Sequence, residues 1–138
     1  MKRLILLTLN ICLLCSLFSC ASNKSKTIKD ISEIKNEYPV SITVTFNDEY
    51  KGSFEITDEV LITRVIDMLN AREYGFTKEA PAPGSNRTLT LKYESGDEVT
   101  VSTRVIRASK GYYTPMSRDD LDYLLEQKGI EAGTVEPR

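Results

Sequence analysis

Histidine is absent from all 138 residues, and the three cysteines, Cys12, Cys15 and Cys20, fall within the first twenty. Beyond Cys20 the chain holds neither imidazole nor thiol. That removes Ser-His-Asp and Cys-His nucleophilic centres, thiol redox chemistry, disulfides and the usual His/Cys zinc sites, because each needs a side chain that is missing. Long apolar runs are equally scarce. The single example, Leu4 to Phe18, is interrupted by Thr8, Asn10 and Ser16 and is too short for a comfortable membrane span, which takes about 20 apolar residues.

That run has the layout of an export signal: Lys2 and Arg3 precede it, and small Ser19 stands just before Cys20. The four residues Leu17-Phe18-Ser19-Cys20 resemble the lipobox of bacterial lipoproteins, with Phe18 departing from the usual small or aliphatic residue at its position. The resemblance implies that residues 1–19 are a signal peptide, that Cys20 is diacylated on sulfur and becomes the mature N-terminus, and that the membrane is a partner through this anchor. The expected location is extracytoplasmic: the outer face of the plasma membrane, or the outer membrane or periplasm of a two-membrane cell. Ala21 lacks the aspartate that the family associates with retention at the inner membrane. Taking Lys2 and Arg3 from the 18 basic residues leaves 16 against 20 acidic ones, a formal net charge of −4. A net-acidic domain is a poor candidate for nucleic acid.

Residues 20–27 are small and polar and read as a lipid-anchored spacer. Residues 28–130 read as a single α+β domain, and 131–138 as a loose tail. Ile28, Ile31 and Ile34 stand at helical spacing before Pro39. Val40, Ile42, Val44 and Phe46 then alternate with hydroxyl residues, and Gly52, Phe54 and Ile56 carry a strand back. Thr57 is the expected cap of a helix whose apolar face is Val60, Leu61, Val65, Met68 and Leu69. Asn70 to Asn86, with Gly75, Pro81, Pro83 and Gly84, reads as a long surface loop. A second hairpin follows, with Leu89, Leu91 and Tyr93 inward and Val99, Val101, Thr103 and Val105 after the turn. Tyr112 and Tyr113 suggest a short fifth strand. A capping box over Ser117 to Asp120 opens a helix that buries Leu121, Leu124 and Leu125 and ends at Gly129. The expected fold is an antiparallel sheet of 4–5 strands with two helices on one face, in the order (α)ββαββ(β)α. The hairpins ITVTFNDEYKGSFEI and LTLKYESGDEVTVST read alike, as a duplication would make them and as alternating strands around polar turns also do by convergence.

Few constellations carry chemistry. Asp119, Asp120 and Asp122 form the densest acid cluster, yet acids in the first turn of a helix are stabilised by its dipole without any function. The turns Asn47-Asp48-Glu49 and Glu94 to Glu98 offer oxygens to a cation only if they meet in space, and no metal or cofactor is implied. Ser41, Thr43, Thr45, Ser53, Thr88, Thr90, Thr100 and Ser102 give the strands a hydroxyl face, which suits a polar ligand or glycan and equally suits solvent. Arg87, Arg104, Arg107 and Lys110 read as scattered surface cations. Tyr74 and Phe76 in the long loop, and Tyr112 and Tyr113 beside Pro115, combine apolar area with hydroxyls and form the expected partner-binding surface. Together these features point to a non-enzymatic, lipid-anchored module that contacts another envelope component, protein or polymer. The alternatives are a small-ligand or ion sensor of the envelope and an enzyme working with carboxylates alone.

Overall fold

Alternation of aliphatic and hydroxyl side chains is what gives this chain a sheet with one apolar face and one wet face. The computed structural model describes residues 25–47, 52–82, 86–117 and 120–135. The elements run α1 (Ile28–Ile31), β1 (Ser41–Phe46), β2 (Gly52–Ile56), α2 (Glu59–Asn70), β3 (Tyr74–Thr77), β4 (Arg87–Lys92), β5 (Glu98–Ser102), β6 (Ile106–Ala108), β7 (Gly111–Pro115) and α3 (Leu121–Glu131). The larger sheet has the order β2-β1-β4-β5 and is antiparallel throughout. Its register sets Ile42 between Ile56 and Leu91, and Val44 between Phe54 and Leu89, on the face that meets the core. The opposite face carries cross-strand rows of polar residues: Ser53, Thr45, Thr88 and Ser102 in one, Glu55, Thr43, Thr90 and Thr100 in the next.

Both long helices pack on the apolar face. From α2 come the buried Ile62, Val65, Ile66 and Leu69, and from α3 Leu121 and Leu125. The apolar stripe of α2 is rotated from the sequence expectation: Val60 is exposed, and Ile62 and Ile66 take the core positions. The cap is Asp58 and not Thr57, its carboxylate accepting the Leu61 N–H at 2.8 Å. The leading helix is a single turn. The Asp30 carboxylate accepts from the Thr27 backbone N–H and hydroxyl, both at 2.8 Å. At the other end the Ser32 hydroxyl donates to the Ile28 carbonyl at 2.7 Å, a local bond that competes with further helix. Ile34 is buried all the same, carried into the core by irregular chain.

The class is α+β, as the sequence implies, but the strands divide into two sheets. The second has the order β3-β7-β6, all antiparallel. Its first strand lies inside the stretch expected to be a long loop. Tyr74–Thr77 is four residues long and contains a glycine, so it shows no period of its own, and it becomes a strand by pairing with Tyr112–Pro115 across more than thirty residues. Likewise β5 ends at Ser102 instead of running on through Val105, and Val105 leads into β6. The spacer is tied down at its end as well: Lys26 and Tyr74 exchange two backbone hydrogen bonds, at 2.8 and 3.1 Å.

The last helix continues two residues past Gly129, to Glu131. It ends in a Schellman motif around Gly133 (φ 69°), whose N–H bonds to the Ile130 carbonyl at 3.0 Å while the Thr134 N–H bonds to Gly129 at 2.9 Å. This brings Val135 back onto the core at 4 % exposure, so the folded unit extends at least to Val135 and residues 131–135 are not loose. The Ser117 to Asp120 capping box is not formed as expected, since Asp120 is the N-cap residue and makes no side-chain cap bond. Gly129 stands in the last turn of the helix because a Cβ there would lie 2.8 Å from Val135 Cγ2 and 2.9 Å from Phe46 Cζ. In an open helix Gly→Ala gains up to about 1 kcal/mol; here overpacking, worth about 1–3 kcal/mol, opposes it. Gly129→Ala should therefore lower the urea midpoint, and an unchanged or raised midpoint would contradict this packing.

Candidate functional site

Two arginines, Arg72 just beyond α2 and Arg87 at the start of β4, are buried at 5 % and 3 % exposure. A guanidinium taken from water needs both charge and hydrogen-bond partners. Asp122 and Glu126, one turn apart on α3, supply the charge. Arg87 lies 3.3 Å from Asp122 Oδ1 and donates to Glu126 Oε2 at 3.0 Å, and Arg72 Nη2 lies 3.8 Å from Asp122 Oδ2. Arg72 also donates to the backbone carbonyl of Thr103, whose hydroxyl donates to Asp122 at 3.0 Å. Phe46 offers its ring face 5.4 Å from the Arg87 guanidinium. Arg87 is thus no surface cation, and Asp122 is engaged in holding the core together. Asp119 lies outside the described residues, as do Asp48 and Glu49 of the first proposed cation turn.

Thr103 is where the chain leaves the larger sheet. The Ser102 hydroxyl accepts from the N–H groups of Arg104 (3.4 Å) and Val105 (3.2 Å), turning the chain toward β6. Between the outer edge of β5 and β6 a groove of about 370 Å³ opens. Ile31, Val99, Val101, Val105 and Ile106 give it apolar lining, and Glu33, Glu98 and Arg107 bring charge. Its backbone is as informative as its side chains. The Tyr93 N–H bonds to the Asp97 carbonyl and the Thr103 N–H to the Arg87 carbonyl, both at 2.9 Å. Asp97 and Thr103 therefore face β4, and by the alternation of an antiparallel ladder so do Val99 and Val101. Glu98, Thr100 and Ser102 turn their N–H and C=O groups outward into the groove. Among the described residues no backbone hydrogen bond reaches that edge.

The four aromatic residues singled out in the sequence do not form one surface. Tyr74, at 0 % exposure, is part of the core. Phe76, at 42 % exposure, stands opposite Tyr113, with ring centroids 5.4 Å apart at 60°, and Lys26 Nζ sits 5.3 Å from the Tyr113 ring. Tyr112 projects from the other face of the small sheet, opposite Thr77 and Arg107. Tyr113 is opposite Ile106, so the Phe76–Tyr113 pair reaches the groove through one residue. Comparison of the chain with protein-family models, curated proteins and solved structures finds no match.

The other candidates resolve into local structure. Half of the hydroxyl face is engaged locally: Thr90 and Thr100 are 3.3 Å apart, Asn47 donates to Thr88, and Ser102 donates to Asn86 at 2.6 Å. Among the described residues no group of three or more His, Cys, Asp or Glu could hold a metal ion. In the β4–β5 turn, Lys35 bonds to Asp97 at 2.5 Å and to Ser95 at 3.1 Å, pinning the segment after α1 against the start of β5. The hydrogen bond from Lys35 holds the Asp97 carboxyl below its ordinary value, and the same bond raises Lys35. The carboxylate's share of this contact is present above the usual Asp range and fades as pH falls through the lowered value. Sequence reasoning missed the Arg72/Arg87 cluster and the groove, since nothing local marks a buried arginine or says which strand ends a sheet. Replacing Asp122 by Asn should cost roughly 2–4 kcal/mol in urea unfolding, because two buried guanidiniums lose their shared carboxylate; a change under about 0.5 kcal/mol would show that the cluster is not what fixes α3.

Proposed function

We propose that this chain is a non-enzymatic binding module, tethered outside the cytoplasm by a lipid on Cys20, that holds another component of the cell envelope in the groove between β5 and β6. The observation that carries the reading is the combination within one groove of unused backbone hydrogen-bonding groups, apolar lining and charges of both signs. Cys20 lies outside the described residues, and the tether rests on the lipobox-like sequence alone. It has a geometric consequence, however. Lys26 is bound to Tyr74 at the edge of the small sheet, so only residues 21–25 separate the lipid-bearing cysteine from the domain. Six extended steps span at most about 20 Å, which holds β3 close to the membrane. The groove opens at β6, on the other side of the same three-stranded sheet and about 10 Å further on. A partner would thus be met at the membrane surface and not far from it. No helix among the described residues is long and apolar enough to cross a membrane, so attachment by the lipid does not compete with a span there.

The test is photo-crosslinking in intact cells, with a photoreactive residue placed at Tyr112, the cross-strand neighbour of the groove-lining Arg107, and in a second strain at exposed Val60 on α2. A discrete adduct from position 112 and not from position 60, together with loss of the protein from the membrane fraction in Cys20→Ala, is the expected result. Equal capture at both positions, or unchanged membrane association of Cys20→Ala, would contradict the groove or the tether respectively.

A further inference from the structure

We infer that the occupant of the groove is a short free peptide of about four residues, bound as an added strand along β5. The inference rests on the binding-module reading above and names its ligand. Backbone chemistry comes first. Glu98, Thr100 and Ser102 present donors and acceptors in strand spacing, and the ligand that matches a row of alternating N–H and C=O groups is another extended backbone. Glu98 to Ser102 is four steps of about 3.4 Å, or about 14 Å, which a tetrapeptide covers. Val99 and Val101 alternate with those three residues on the core side, so every second peptide side chain would lie over apolar lining that Ile31, Val105 and Ile106 complete.

Charge sets direction and ends. Glu98 opens β5, and Glu33 lies at the same end, two residues before the Lys35 that is pinned to Asp97. Arg107 lies at the far end, beyond the turn at Ser102 to Val105. Among the described residues none of these three groups makes an ion pair. Two carboxylates at one end and one guanidinium at the other complement the ammonium and the carboxylate of a free peptide running parallel to β5. A second copy of the chain fits poorly. The edge is recessed between Ile31–Glu33 and β6, and two such recessed edges cannot approach to the roughly 4.8 Å that strand pairing requires.

The experiment uses a tetrapeptide library with free ends, panned against the intact domain, with affinities of the retained sequences measured by fluorescence anisotropy. Apolar residues should be enriched at alternate positions. Binding should weaken tenfold or more when the ends are acetylated and amidated, in Arg107→Glu, and in Thr100→Pro. The proline removes an outward N–H while leaving the ladder to β4 intact, as edge strands allow. Arg107→Glu changes an exposed side chain and provides a second variant if the proline disturbs the strand. Retention of no tetrapeptide, capped peptides bound as tightly as free ones, or equal affinity for Arg107→Glu would each overturn the inference. A cellular crosslink at position 112 with no peptide binding in solution would leave the binding module standing and remove only its peptide ligand.

Discussion

Everything on the open side of the larger sheet depends on two buried guanidiniums. Arg72 and Arg87 sit where the end of α2, the start of β4, the end of β5 and the first turns of α3 converge, and Asp122 touches both. The cluster is costly to desolvate, and its geometry is correspondingly specific. Because Arg72 and Asp122 together hold Thr103 by its carbonyl and its hydroxyl, the chain is fixed at the last point of contact with β4. From there it turns out of the sheet instead of extending it. Had β5 run on through Val105, there would be no β6 at that position and no groove.

The pinning also explains why the domain has two sheets. Once Thr103 is held, Ile106–Ala108 and Gly111–Pro115 form a small hairpin that recruits Tyr74–Thr77 from the far side of α2. Tyr74 then serves the core, Phe76 and Tyr113 close the margin, and Lys26 joins the edge of β3. The small sheet thereby connects the proposed tether at one edge with the groove at the other. Next to the arginine cluster the last helix closes over Phe46, where Gly129 admits the ring and the Gly133 turn returns Val135.

What could be read in the sequence was what depends on local period. Ile42, Val44 and Phe46, and Leu89, Leu91 and Tyr93, alternate strictly and are all buried. The two hairpins, the helix after each and the α+β class follow from such patterns. What could not be read depends on distant partners. Tyr74–Thr77 is a strand only because β7 is beside it, and Arg87 looks like any surface cation until α3 brings Asp122 and Glu126 to it. The end of the last helix has the same origin: Gly129 reads as a stop in sequence, and its close packing against Phe46 and Val135, which no local pattern shows, keeps it inside the helix. Of the groove lining, Thr100 and Ser102 stood out in the sequence only as part of a hydroxyl face and Arg107 only as a scattered cation, while Phe76, Tyr112 and Tyr113 are not among the lining residues. The edge of β5 was not legible, because strand order is a property of the whole chain.

The most direct measurement is amide hydrogen exchange along β5 in the folded, ligand-free protein, residue by residue. An open edge predicts alternation, with slow exchange at Val99 and Val101, whose N–H groups bond to β4, and fast exchange at Glu98 and Thr100, whose N–H groups face the groove. Uniform protection across these four amides would mean that the edge is already paired, and the groove would then have no backbone left to offer.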